Sequence, residues 1–231
     1  MNAPWEEFDL SALTYPKFLA FFFDRPVVGD ANEYNLFRSG IDSFGASDPA
    51  TVVGHVQAMC RNSAELPKIY SHEQLDQGLW AVFGVGISCE RYLFDPAVDR
   101  RLRIDCIESM YLPFRDVVAR STADVRDSFF WMWWHMIPFT FWVTAEFDYA
   151  EYNYSELNDD RKQMADTMYR TLSKILALDN RGCQWCALHG LGHLHHPLVR
   201  ETVQSFLNVH RNELTNEDVR WVEECRDGSN Q

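Results

Sequence analysis

The sequence predicts an all-α fold built from stacked antiparallel helix pairs, an α-α superhelix. Helix-start signals recur at intervals of roughly twenty residues, and the apolar residues that follow them have helical spacing. Period-two alternation bounded by tight-turn dipeptides, the pattern of β-hairpins, is scarce. The 231-residue chain is 46% hydrophobic and contains no long linker. We therefore expect one all-α domain over residues 1–231 with a sizeable core.

Two helices are predicted between residues 49 and 83. The first begins at Pro49, with Asp48 as its N-cap. The second follows Pro67, because Ser71 and Gln74 have the spacing of a capping box and precede an apolar stripe. We expect these two helices to form an antiparallel pair. The first fifty residues are apolar and interrupted by prolines, and one or two helices are expected there.

The next predicted helix begins at Asp95-Pro96 and is kinked or ended by Pro113. Residues 129–145, FFWMWWHMIPFTFWVTA, carry no formal charge and approach the length of a membrane span. His135 and Pro138 interrupt this stretch, so we predict a central core helix and a second segment after Pro138. His135 is interpreted as a core histidine that is hydrogen-bonded to a carbonyl or a carboxylate.

Four more helices are predicted towards the carboxyl end. An amphipathic helix covers 155–178 and ends near Gly182. A helix over 182–195 and another over 198–210 are separated by a break at His196-Pro197, and a capping box at Thr215 and Asp218 begins the last.

Charge and cysteine content restrict the classes of partner and compartment. The chain has 34 acidic and 21 basic residues, a formal charge of −13. Such a surface repels phosphate backbones, so nucleic-acid binding is not expected, whereas a basic protein partner would be attracted. The acidic amino terminus lacks the pattern of a secretory signal, and the six cysteines are interpreted as buried free thiols. A cytoplasmic protein with no membrane span is expected, and its oligomeric state is left open.

Residues 187–207, ALHGLGHLHHPLVRETVQSFL, resemble a HEAT-like repeat of the short, lyase-associated type. The similarity lies in a small residue, a Leu-Gly pair, a turn proline and the apolar stripe of the second helix, which makes 182–211 the clearest HEAT-like helix pair. The aromatic segment MWWHMIP together with ALHGLGH also resembles a group of uncharacterised bacterial helical proteins, some of them suspected immunity proteins that neutralise toxins. Both resemblances imply a stack of helix pairs that binds a protein.

The segment AEFDYAEYNYSELNDD, residues 145–160, is the candidate partner-binding surface. It alternates carboxylates with tyrosines and contains no lysine or arginine, a composition that can engage arginines of a basic protein. The alternative is a solvated connection whose acidic residues cap the following helix. The candidate partner-binding residues are Asp148, Tyr149, Glu151, Tyr152 and Tyr154.

The stretch CQWCALHGLGHLHH, residues 183–196, is a candidate metal site. Cysteine and histidine are the usual zinc ligands, and Cys183, Cys186, His189 and His193 are the four candidates. Along one straight helix at most three of them can reach one ion, so a site needs a ligand from another helix, for which the sequence names no obvious donor. The interpretation preferred to a metal site is an outer face of histidines above buried cysteines.

A non-catalytic protein-binding protein, which neutralises or scaffolds a partner and needs no cofactor, is the function that the sequence favours. Two alternatives stay open. One is a metal-dependent enzyme that uses residues 183–196, and the other is a peripheral membrane protein that uses residues 129–145. Phosphate-binding loops, nucleophile elbows and HExxH pairs do not occur in the sequence, which leaves common enzyme classes unsupported.

Overall fold

The computed structural model describes residues 8–27, 43–84, 87–121, 124–145 and 153–230. Over these ranges the chain is all-α: eleven α-helices occur, and the strand pairing is limited to the two-residue strands β1 (Phe8–Asp9) and β2 (Phe44–Gly45), which are parallel. The chain divides into two compact units, Met1–Val117 and Val118–Gln231. The all-α prediction is confirmed, and the superhelical arrangement stays a prediction, as does the single domain.

The described part of the first unit contains six of these helices and three short 3₁₀ segments next to them. The α-helices are α1 (Tyr15–Phe23), α2 (Pro49–Arg61), α3 (Leu66–Ile69), α4 (His72–Phe83), α5 (Arg100–Ser109) and α6 (Tyr111–Asp116). The 3₁₀ segments beside β1 and α5 are Leu10–Ala12 and Cys89–Phe94, and Ser63–Glu65 joins α2 to α3. Apolar side chains that point inward from these elements form the core of this unit, among them Phe18, Val53, Phe83 and Ile107.

Local capping signals of the first unit are realised as the sequence predicts. The Asp48 side chain accepts from the Ala50 amide at the start of α2. Ser71 and Gln74 form both hydrogen bonds of the capping box. The predicted antiparallel pairing of α2 with α4 is not what the structure shows. Helix α2 packs mainly on α5, whereas α4 packs on α1.

The second unit contains five of the helices. These are α7 (Phe129–Thr144), α8 (Asp159–Leu176), α9 (Arg181–Leu194), α10 (Val199–His210) and α11 (Asn216–Asp227). Short 3₁₀ segments at Val118–Arg120, Val125–Asp127, Tyr154–Glu156 and Arg211–Glu213 accompany them. Helix α9 is the centre of the unit, because it packs against α7, α8 and α11, while α10 packs mainly on α11.

One glycine and two hydrogen bonds to backbone carbonyls of α9 hold this helix in its central position. A Cβ added at Gly190 would lie 2.4 Å from the Cβ of Trp134, so glycine permits the close approach of α7 and α9. The indole Nε1 of Trp142 donates to the Leu194 carbonyl at 3.2 Å. Asn230, which follows α11, is buried, and its Nδ2 donates to the carbonyl of His189 in α9, also at 3.2 Å. Each contact fixes the α9 backbone relative to a neighbouring element.

Helix α7 is a core helix, as predicted, but it does not break at Pro138. It continues through this proline to Thr144, and its buried aromatic side chains pack into the core of the unit. The apolar packing of the helix offsets the backbone hydrogen bond that a proline removes. Among the described residues, no helix combines the length and apolar character needed to cross a membrane.

Several predicted helix boundaries are corrected. Helix α5 begins at Arg100 rather than at Asp95-Pro96, because Asp99 provides its N-cap by accepting from the Leu102 amide at 3.1 Å. Helix α8 begins at Asp159, capped by Asn158, rather than at Ser155. The break between α9 and α10 falls where predicted: His195 adopts a left-handed conformation with φ of 52° and ends α9. Residues 182–211 therefore form two helices with a turn between them.

Candidate metal centre

Two side chains one helical turn apart on α7 face α9. Residues at i and i+4 of a helix lie on the same side, so Trp131 and His135 form one stripe. The ring of Trp131 lies 4.4 Å from that of His189, and the ring of His135 lies 4.2 Å from that of His193, both measured between centroids. His135, partly exposed, is thus presented to α9 rather than to a carbonyl or a carboxylate.

Helix α9 supplies the matching stripe at the same spacing. His189 and His193 are also four residues apart, and their ring centroids are 4.8 Å from one another. The side chain of His189 is 2% exposed, whereas that of His193 is partly exposed. The interpretation of these histidines as an outer polar face is wrong, because α9 is enclosed by three helices and its histidine side turns towards α7.

The three imidazoles converge on one point. One ring nitrogen from each of His135, His189 and His193 lies within 4.8 Å of the other two. The Nδ1 of His135 and the Nε2 of His193 are hydrogen-bonded to each other at 3.0 Å, so one of the two nitrogens donates its N–H to the other. Three nitrogens bound to one zinc ion at 2.0–2.1 Å are about 3.4 Å from each other in tetrahedral geometry. A shift of His189 on the order of 1 Å would therefore complete a three-nitrogen site.

The polar atoms of His189 are not satisfied by the surrounding protein. In the part of the chain that the structure describes, neither its Nδ1 nor its Nε2 makes a hydrogen bond of normal geometry, although both are buried. A buried polar group without a partner costs free energy, and such groups call for an explanation such as a bound ion. The imidazole is therefore the strongest individual indication of a ligand at this point.

Burial keeps all three imidazoles in the neutral form that a metal requires. Burial lowers the pKa of His189 from 6.5 to about 4 and, with the nearby histidines acting in the same direction, lowers the pKa of His193 to about 3. A contact with the Trp131 backbone carbonyl, which does not reach the geometry of a normal hydrogen bond, acts on the pKa of His189 in the opposite direction and is outweighed. Burial also lowers the pKa of His135. At neutral pH each ring has one unprotonated nitrogen. The hydrogen bond between His135 and His193 must break for both of them to coordinate one ion, and the donor ring then moves its proton to its other nitrogen.

A stack of three tryptophans adjoins the histidines. Trp131 and Trp221 of α11 are stacked, with centroids 5.4 Å apart and planes 29° apart. Trp185 meets Trp221 edge to face at 5.2 Å. All three indoles are partly exposed. The stack covers one side of His189 with apolar surface and provides fluorophores directly beside the histidines.

The two cysteines proposed from the sequence do not join this cluster. Cys183 and Cys186 are fully buried and free. Burial raises the pKa of the Cys183 thiol to about 12 and that of Cys186 well above its usual range, so both are protonated at neutral pH. The described residues thus group His189 and His193 with His135 rather than with the cysteines. All six cysteines are buried free thiols, as predicted.

Of the five candidate partner-binding residues, the structure describes one. Asp148, Tyr149, Glu151 and Tyr152 lie outside the described residues. Tyr154 is half-buried, its hydroxyl donates to Asp166 at 2.7 Å, and its ring contacts that of His196. This tyrosine packs against α8 and the turn after α9, which is the behaviour expected of a connection between helices. Partner binding by the other four residues stays a prediction.

Sequence reasoning missed His135 as a member of the site. A metal site on residues 183–196 needs a ligand from a second helix. The feature of the sequence that could have identified it is that His135 is the one ionisable side chain in the otherwise uncharged residues 129–145. His135 follows Trp131 at the same four-residue spacing that separates His189 from His193. Only tertiary packing, which brings residues 135 and 193 together across 58 positions of sequence, identifies the partner.

Comparisons of the chain with protein-family models, with curated proteins and with solved structures find no match. The likeness of residues 187–207 to a HEAT-like repeat and the likeness to immunity-type proteins therefore stay predictions.

In the metal-free protein we expect the free energy of unfolding to fall between pH 7 and pH 5. The pKa of His189 is about 4 in the folded chain against an ordinary value of 6.5. Between these values the unfolded chain binds a proton that the folded chain does not, so acid favours unfolding. Protonation of His189 in the unfolded chain should by itself lower the free energy of unfolding by about 2 kcal/mol at pH 5 relative to pH 7. His193, whose pKa is also lowered in the folded chain, adds to this loss.

Urea unfolding of the metal-free protein at pH 7 and pH 5 measures this effect. His193→Gln removes one of the depressed pKa values and should reduce the loss. A loss of the same size in wild type and His193→Gln would assign the pH dependence to other groups.

Proposed function

We propose that this protein binds one divalent transition-metal ion through His135, His189 and His193, and that it uses the ion as a Lewis acid. The observation that carries the proposal is the convergence of three neutral imidazoles, one of them buried with neither ring nitrogen in a hydrogen bond of normal geometry. Imidazole suits zinc, copper and nickel, and the described ligand set contains no thiolate and no carboxylate. Zinc is the proposed physiological ion, since three histidines are an established zinc ligand set.

The number and charge of the ligands favour catalysis over a structural role. Structural zinc sites are closed by four protein ligands, whereas catalytic sites have three and keep one position for water or substrate. Three neutral imidazoles leave the full positive charge on the ion, which lowers the pKa of a bound water towards neutrality. The partial exposure of His135 and His193 leaves a side from which such a ligand can enter. Hydrolysis or hydration is therefore the proposed reaction class.

The first experiment is a calorimetric titration of the untagged, metal-depleted protein with Zn²⁺ and, separately, with Cu²⁺. We expect one ion per chain in each titration. Because Trp131 lies 4.4 Å from His189, Cu²⁺ should also quench tryptophan fluorescence at the same stoichiometry. A chain that binds neither ion, or that binds several ions weakly without quenching, would contradict the proposal.

The prediction of a protein-binding function rests on five residues, of which Tyr154 alone is described. It can coexist with a metal site, because the acidic segment precedes α8 and the histidines belong to α7 and α9. Capture of a basic partner by the wild type, lost when Tyr149 and Tyr152 are replaced by serine, is the result that would establish it.

A further inference from the structure

A surface cavity of about 420 Å³ lies between α8 and the turn that joins α9 to α10. Its walls are aromatic and apolar, formed by Tyr154, Tyr169, His196, Pro197 and Leu198. Its volume is within the range of small-molecule sites, which begins near about 300 Å³. Asp166 and Arg170 of α8 complete the lining and are its charged members.

The polar groups of the aromatic walls are already engaged by the protein. His196 accepts from the Leu198 amide through Nδ1 at 3.2 Å and faces Asp166 Oδ1 with Nε2 at 3.0 Å, so it donates to that carboxylate. The Tyr154 hydroxyl donates to the same Oδ1 at 2.7 Å. Both ring nitrogens of His196 are therefore in use. It forms a fixed wall, stacked on Tyr169 at 4.5 Å between ring centroids.

Two opposite charges in the cavity are left available. Asp166 uses Oδ1 for its two hydrogen bonds and its side chain is 40% exposed, and among the described residues no hydrogen bond engages its Oδ2. Arg170 is exposed and uses Nη2 to donate to Thr167 Oγ1 at 2.8 Å. These residues are at i and i+4 of α8, a spacing that favours an ion pair, yet the described side chains do not pair. One carboxylate and one guanidinium are thus held apart at the same cavity.

We infer that this cavity binds a free α-amino acid with an aromatic side chain. Its ammonium group would bind Asp166 Oδ2 and its carboxylate would bind Arg170, because the ligand then satisfies both unpaired charges. Its ring would pack on the Tyr169 and Leu198 walls, of which Leu198 is 47% exposed. This site does not depend on the proposed metal centre and uses none of its histidines.

The test is ligand-observed NMR of the full chain with L-phenylalanine at millimolar concentration. We expect the ligand signals to broaden in the presence of wild-type protein. Blocking either charge, in N-acetyl-L-phenylalanine or in L-phenylalanine amide, should weaken binding about tenfold or more, since each charge-assisted hydrogen bond is lost.

Two substitutions in α8 assign the binding to this cavity. Asp166→Asn keeps an acceptor for Tyr154 and His196 but removes the charge, and Arg170→Gln removes the guanidinium. Each should weaken L-phenylalanine binding about tenfold, whereas Lys174→Gln, an exposed change on the same helix, should leave it unchanged. The inference would be overturned if the wild type does not bind L-phenylalanine or if the wild type and all three variants bind it equally. It would also be overturned if the two blocked ligands bind the wild type as tightly as L-phenylalanine does.

Discussion

Replacing His135 or His193 by glutamine should weaken zinc binding by at least about 100-fold. Substitution of a group that only orients a metal ligand already lowers metal affinity by up to about 100-fold, and these two substitutions remove a ligand itself. Both side chains are partly exposed, so glutamine should leave the fold intact. Calorimetric titration with Zn²⁺ measures the affinity, and circular dichroism checks the helix content of each variant.

The matched control is His72→Gln, which changes an exposed histidine in the first turn of α4 and should bind zinc as the wild type does. Zinc should also raise the melting temperature of the wild type and of this control, because an ion that binds the folded chain stabilises it. The His135 and His193 variants should lose that increase. Undiminished zinc affinity in either folded variant would remove that residue from the site.

Gly190→Ala should destabilise the protein by about 3 kcal/mol. On an exposed helix position this change stabilises by about 1 kcal/mol, because alanine is the better helix former. At residue 190 the new Cβ would lie 2.4 Å from the Cβ of Trp134 and 2.9 Å from a methyl of Leu172. Trp134 is fully buried and its Cβ is fixed to the α7 backbone, so the two helices must separate. Urea unfolding measures the change.

Gly54→Ala in α2 is the control for this prediction, since, apart from its chain neighbours and the backbone of its own helix, no described atom lies within 4 Å of the added Cβ. It should stabilise the protein by about 0.5–1 kcal/mol. Separation of α7 from α9 also moves His135 away from His193, so Gly190→Ala should weaken zinc binding while Gly54→Ala leaves it unchanged. A Gly190→Ala protein as stable as Gly54→Ala would contradict the close packing of these helices.

Features that depend on a few neighbouring residues could be predicted from the sequence. The capping boxes at Ser71 and at Thr215 are hydrogen bonds between residues three apart, and both form as predicted. The break between α9 and α10 follows from the proline at 197 in the same way. Errors arose where two capping residues competed, as at Asp95 and Asp99, since the local pattern does not rank them.

The site could be predicted only in part, because half of its geometry is tertiary. The four-residue spacing of His189 and His193 places both on one side of α9, which the sequence establishes. The direction of that side depends on which helices enclose α9, and no local pattern carries this information. The sequence therefore predicts a core position for His135, whereas the packing of α7 on α9 places it beside His193.

X-ray absorption spectroscopy of the zinc-bound protein tests the metal centre most directly, because it counts the ligands and identifies their atoms. The account predicts three imidazoles with zinc–nitrogen distances of about 2.0–2.1 Å, one further light-atom ligand and no sulfur. Loss of one imidazole in His135→Gln would assign that ligand to α7. A sulfur shell at about 2.3 Å would instead place the ion on Cys183 or Cys186 and contradict the three-histidine site.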